Sequence, residues 1–213
     1  MGEGYGFGKV ILFGEHFVVY GLPGIVAALG NKTIAKAEKI SGTNYEFIDN
    51  RPETPGYKEK KREEYEKALD YIFKAMNINP KETPVRITVA GDLVAASGVG
   101  ASAAFSAAVA RALNEEFGFG FDEEKINEIA YEGEKGPHGE SPSGIDNTAA
   151  TYGGVLVFKK NLCGGKPIFE KVSVGKAFEI VEGDSGITSS TKEVVGDVKK
   201  LKEEQPEKME RIF

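Results

Sequence analysis

Apolar and polar positions along the chain mark out short strands and longer helices. Lys9-Val10-Ile11-Leu12-Phe13 is an apolar run behind one lysine, the pattern of a strand buried on both faces. Gly14-Glu15-His16 interrupts the run, Phe17–Tyr20 resumes it, and Gly21-Leu22-Pro23-Gly24 marks a turn. Residues 25–29 and 33–40 predict two further strands. Residues 50–63 are charged and poor in apolar side chains, as expected of an exposed loop leading into a helix. That helix is predicted over 64–76, with Tyr65, Leu69, Ile72 and Phe73 on one face. Val85–Val89 alternates as a strand does.

A small-residue segment, Ser97-Gly98-Val99-Gly100-Ala101-Ser102-Ala103-Ala104, opens an alanine-rich helix. Its apolar positions Ala104, Phe105, Ala108, Val109, Ala112, Leu113 and Phe117 recur at helical spacing. The next helix starts after Asp122, a suitable N-cap, and is predicted to stop near Glu134, because Gly136-Pro137 cannot continue the ladder. Thr148–Thr151 predicts a short helix, Val155–Phe158 a strand, 178–182 a strand and 190–204 a helix. There is no internal repeat. Strands mixed irregularly with helices predict an α+β fold, not a strict βαβ succession.

Composition narrows the class. The 213 residues suffice for one large domain or a domain with part of a second. A hydrophobic share of 40% allows a buried core, and a net charge of -6 argues against a nucleic-acid or anionic-membrane surface while leaving room for a local basic pocket. Cys163 is the one cysteine, so there is no disulfide framework or cysteine-rich metal cage, and it reads as a loop thiol beside Gly164 and Gly165. Met1–Tyr5 carries no signal-peptide features, Gly6 breaks the myristoylation pattern, and no apolar run approaches the ~20 residues of a bilayer span. The expectation is a soluble, cytoplasmic protein with no nucleic-acid or membrane partner.

Three segments can carry chemistry. A strand, the glycine-containing loop 97–104 and a helix N-terminus are the parts of an anion site, where free N–H groups and the helix dipole favour phosphate. The alternative is a close-packed turn into a small-residue helix. Residues 136–147 gather His138, Glu140, Ser141, Ser143 and Asp146 among glycines and prolines, and Asp146 suits a general base, an electrostatic partner or a turn former. In residues 8–21, strand parity places Lys9 and Glu15 on one face. Both histidines, His16 and His138, fall in these segments, but their spacing makes no zinc site.

Together, KVILFGEH, GVGASAA and PSGIDN, in that order, resemble the GHMP kinase family, and within it the mevalonate kinases, over residues 5 to 213. The resemblance implies a GHMP kinase-like N-terminal domain (ribosomal protein S5 domain 2-like) over 1–177 and only the start of a C-terminal ferredoxin-like domain over 178–213. It implies phosphorylation of the primary alcohol of mevalonate by ATP with Mg2+. ATP would lie on Ser97, Gly98, Val99, Gly100, Ala101, Ser102 and Ala103. Ser102 and Glu134 match the magnesium ligands, Asp146 the catalytic aspartate, and Lys9 the lysine that pairs with it. Glu15 and His16, with Thr188 and Thr191, match residues near the acceptor. Dimers are common in the family, which implies a homodimer, or a second chain that completes the C-terminal domain.

The match has departures. Ala101 stands where many members have serine, HGESPSGID is one residue longer than the usual spacing, and no third glycine-rich motif follows Thr191. Two alternatives follow: a fragment or subunit that binds nucleotide without turnover, and a sister kinase acting on phosphomevalonate or a sugar.

Overall fold

The computed structural model describes residues 1–95, 98–139, 142–176, 179–181, 183 and 191–212. Its described strands form one sheet in the order β3-β4-β2-β5-β6, with β1 also paired to β2. They are β1 (Gly2–Phe13), β2 (Pro23–Lys39), β3 (Glu46–Asp49), β4 (Val85–Gly91), β5 (Val155–Lys159) and β6 (Ile168–Val172). The helices are α1 (Tyr57–Ala75), α2 (Ala101–Phe117), α3 (Glu123–His138), α4 (Ile145–Tyr152), α5 (Thr191–Glu204) and α6 (Pro206–Glu210). Only β3 and β4 pair in parallel; the other pairs are antiparallel. The α+β class is as predicted.

β2 organises the sheet. Its residues 23–27 pair with β5, its residues 33–39 pair with β4, and β1 runs beside both halves. The two strands predicted at 25–29 and 33–40 are therefore one. Alternation in the second half buries Thr33, Ala35 and Ala37 and exposes Ile34, Lys36 and Glu38, so one face carries the core and the other faces solvent.

α2 lies in the centre of the core, buried on almost every side. Leu69, Ile72, Ile87, Phe105 and Leu113 are fully buried with it, each contributing roughly 1.5–3 kcal/mol by leaving water. At three glycines of β1 the contact is backbone to backbone. A Cβ on Gly2, Gly4 or Gly6 would stand 2.2, 2.3 or 2.1 Å from the carbonyl oxygens of Ala112, Ala108 and Ala104. Only glycine fits at these three inward positions.

Several expectations change. Phe17–Tyr20 is not a strand: Val18–Tyr20 is a 3-10 turn closed by Gly21. α1 begins at Tyr57, seven residues earlier than predicted, after Gly56 in a left-handed conformation. α3 runs past Gly136 and Pro137 to His138. Proline there removes one N–H from the ladder without ending the helix, because its fixed φ is already helical. Gly136 is a close-approach position: a Cβ would lie 2.7 Å from the Ala68 nitrogen of α1. Residues 179–181 form no strand, and 178 and 182 lie outside the described residues.

Candidate active site

Lys9 is turned inward by an irregularity. Glu3 and Tyr5 of β1 are exposed while Gly2, Gly4 and Gly6 are buried, so an unbroken alternation would face Lys9 outward. A register shift against β2 falls between Phe7 and Lys9, and Gly8 and Lys9 are both buried. The Lys9 backbone N–H donates to the Val99 carbonyl at 2.8 Å, tying β1 to the glycine loop. Its ammonium donates to the Gly98 carbonyl at 3.4 Å. Gly100 makes room: it has φ 74°, and a Cβ there would lie 2.6 Å from Lys9 Cγ.

Asp146 is held by its neighbours. Gly144 caps α4 with φ 88°, so Asp146 falls in the first turn, where a carboxylate is favoured by the dipole. Ile145 is buried with Val18, Val26, Leu156 and Phe158. Asn147 Nδ2 donates to Asn127 Oδ1 of α3 at 2.8 Å, and Thr148 Oγ1 donates to the Gly144 carbonyl at 2.6 Å. The carboxylate between these anchors meets Lys9 Nζ at 3.2 Å through Oδ1, a buried atom with no other partner. Burial opposes the charge on Lys9 most strongly, yet the carboxylates of Asp146, Glu15 and Glu134 outweigh it and hold the ammonium above the ordinary lysine value.

Glu134, Ser102 and His138 form the other half. Glu134 is 1% exposed, a rare state for a carboxylate, and its Oε1 has no hydrogen-bond partner. Its Oε2 accepts from Ser102 Oγ at 3.4 Å and lies 3.4 Å from His138 Nε2. His138 Nε2 is also 3.5 Å from Ser102 Oγ. Burial disfavours the imidazolium, but Glu134 above all, with Asp146 and Glu64, reverses this and raises the His138 pKa. α3 brings His138 into place by continuing through Pro137, which sets it one turn after Glu134.

A cavity of about 180 Å³ opens between these groups, lined by Ile11, Glu15, His16, Val18, Val19, Glu134, His138 and residues 142–147. Glu15 and His16 reach it from a turn, so Glu15 does not stand on the strand face that parity predicted, and His16 has φ 63°. Aliphatic side chains, carboxylates and imidazoles share its lining. Lys160 Nζ donates to the Pro142 carbonyl at 3.0 Å and braces the loop before α4, while burial lowers its pKa.

The structure thus brings Lys9, Asp146, Ser102, Glu134, Glu15 and His16 together around the loop Gly98-Val99-Gly100 and the α2 start at Ala101-Ser102-Ala103. Ser97, Thr188 and the Thr191 side chain lie outside the described residues. His138 was singled out in the sequence only as one of a polar cluster. The signal that would have placed it was its i,i+4 spacing from Glu134, hidden by ending the helix too early.

The oxygen donors fit a hard divalent cation. Glu134 offers an unpartnered buried oxygen and Ser102 a hydroxyl beside it, the few protein ligands magnesium takes when phosphates supply others. Among the described residues no three His, Cys, Asp or Glu side chains cluster as a self-sufficient metal cage.

Comparison with known proteins agrees with this geometry. Residues 64–154 match the model of the GHMP kinases N terminal domain. Mevalonate kinase from Thermococcus sibiricus is 33% identical over 219 residues, spanning 96% of this chain and 63% of the relative. Mevalonate kinase from Pyrococcus horikoshii is 34% identical with the same coverage. The crystal structure of L. major mevalonate kinase in complex with R-mevalonate superposes with a TM-score of 0.83 at 37% identity, over 99% of this chain and 64% of that one. The chain thus spans under two thirds of the length of these relatives. On this fold and these matches, the chain carries a GHMP kinase N-terminal domain.

Proposed function

We propose that this site transfers the γ-phosphoryl group of ATP to the primary alcohol of mevalonate, giving 5-phosphomevalonate, as part of a mevalonate-type kinase. The observation that carries the reading is the Lys9–Asp146 pair at 3.2 Å, held against the glycine loop through Lys9. Phosphoryl transfer needs positioning and charge neutralisation more than covalent chemistry. The α2 N-terminus offers amide groups to the phosphates. Lys9 carries a positive charge beside the same loop and pairs with the Asp146 carboxylate. Asp146 accepts the proton of the acceptor hydroxyl, or orients it, as the new O–P bond forms. Ser102 and Glu134 would hold Mg2+, which neutralises charge on the β- and γ-phosphates when bound. Glu15, His16, Val18 and Val19 enclose the acceptor and limit water. In this reading residues 178–213 begin the second domain.

The test uses the purified 213-residue chain with ATP, magnesium and R-mevalonate, following ADP release and 31P NMR. Turnover that Asp146→Asn abolishes supports the reading. Magnesium-dependent ATP binding without turnover would instead identify a nucleotide-binding unit that lacks a component, and transfer to phosphomevalonate or a sugar alone would identify a sister kinase.

A further inference from the structure

The largest fully buried side chain among the described residues is Arg51, 1% exposed. Its Nε donates to Asp49 Oδ1 at 3.0 Å and its Nη2 to Asp49 Oδ2 at 2.6 Å, a two-pronged pair with the last residue of β3. The guanidinium lies over the rings of Tyr65 in α1, at 4.6 Å, and Phe105 in α2, at 5.4 Å. Its remaining arm, Nη1, reaches the carbonyl of Ala101 at 3.4 Å. Ala101 is the first residue of α2, the start of the anion site. The following residues flank the same loop: Ala95 N–H donates to the Pro52 carbonyl at 3.0 Å, and Glu53 bridges to Ala95.

A buried ion pair is a poor device for stability alone, since well-packed apolar side chains of equal volume often do as well. An apolar residue, however, could not hold a carbonyl and a carboxylate in one plane. The guanidinium does both, joining β3, α1 and the first turn of α2.

We propose that Arg51 is a positioning residue for the phosphate site: paired with Asp49, it fixes the first turn of α2 and the flanking loop in the shape that receives the nucleotide's phosphates, without touching the nucleotide. This rests on the reading of the α2 start as the phosphate site.

The test compares the parent chain with Arg51→Lys, which keeps the charge but loses the fork, and Arg51→Met, which loses both. ATP and ADP affinities are measured by calorimetry well below the melting temperature, with amide exchange followed across residues 98–105. Both variants should lose ATP and ADP affinity by about tenfold or more, and both should exchange faster over 98–105. Asp49→Asn should reproduce the effect, and with Arg51→Lys it carries the comparison if Arg51→Met fails to fold. A lowered melting temperature with unchanged ATP affinity and unchanged exchange at 98–105 overturns the proposal, leaving Arg51 a core residue. A parent chain that binds no ATP overturns the kinase reading instead, while the exchange measurement still decides whether Arg51 sets the loop.

Discussion

Lys9 and Asp146 meet at 3.2 Å, one from the middle of an edge strand and the other from the first turn of a short helix. Neither is placed by its own element alone. The register shift in β1 turns the lysine inward, and buried Ile145 and Asn147 on either side hold the aspartate. Removing the carboxylate should therefore cost chemistry more than binding. Asp146→Asn is expected to lower kcat by about 10²–10⁴-fold, with ATP affinity changed only a few-fold. Steady-state kinetics beside nucleotide titration checks this; a variant with near-parent kcat removes Asp146 from the mechanism.

Glu134→Gln should separate the metal from the nucleotide. It keeps the size of a side chain that is 1% exposed and removes its charge. ATP binding to the parent is expected to tighten when magnesium is added and to weaken with a chelator. In the variant the two conditions should differ little. Equal magnesium enhancement in both proteins would place the cation elsewhere.

The His138 ring should titrate above 6.5, the value of an unperturbed histidine, because Glu134, with Asp146 and Glu64, favours the imidazolium more than burial opposes it. A pKa raised by folding stabilises the fold fully below the unfolded value and loses that contribution as pH rises through the folded value. The parent chain is therefore expected to lose this increment of stability across and above pH 6.5, and Glu134→Gln to bring the His138 resonance down. NMR titration, with His138→Gln to assign the signal, measures it; a value below 6.5 in the parent contradicts the arrangement.

Gly100→Ala is expected to destabilise the chain by about 1–2 kcal/mol from its left-handed backbone alone. The added Cβ, 2.6 Å from Lys9 Cγ, must also push the lysine aside. Gly30→Ala is the control, since nothing lies within 4 Å of its would-be Cβ and its φ is not in that region. Urea melts and ATP affinity should both fall for the first variant and stay level for the second.

Much of this was legible in the sequence, for reasons that differ by element. The loop before α2 and the apolar spacing of α2 announced themselves, because glycine, small residues and helical periodicity are local signals. Lys9, Asp146 and Ser102 were placed by resemblance, not by pattern. The first half of β1 was missed because Gly2, Gly4 and Gly6 occupy the inward positions where apolar side chains would have marked a strand. β3 and β6 are short, and β6 is mostly exposed, so neither shows a clear alternation. The end of α3 was misplaced because Gly136 and Pro137 read as breakers, whereas one is a packing contact with α1 and the other costs a single hydrogen bond near the terminus.

Where Gly2, Gly4 and Gly6 meet the α2 backbone, that seam has little room to absorb a displacement. Gly6, the last of these three glycines, stands three residues before Lys9, and the helix begins at the site's amide groups, so the two halves of the pocket are machined onto one block. A sideways slip of the helix drags the ammonium along with it. Adjustment to different occupants must then come from the Gly14–Phe17 turn and from the approach to α4, not from the floor on which the phosphates would rest.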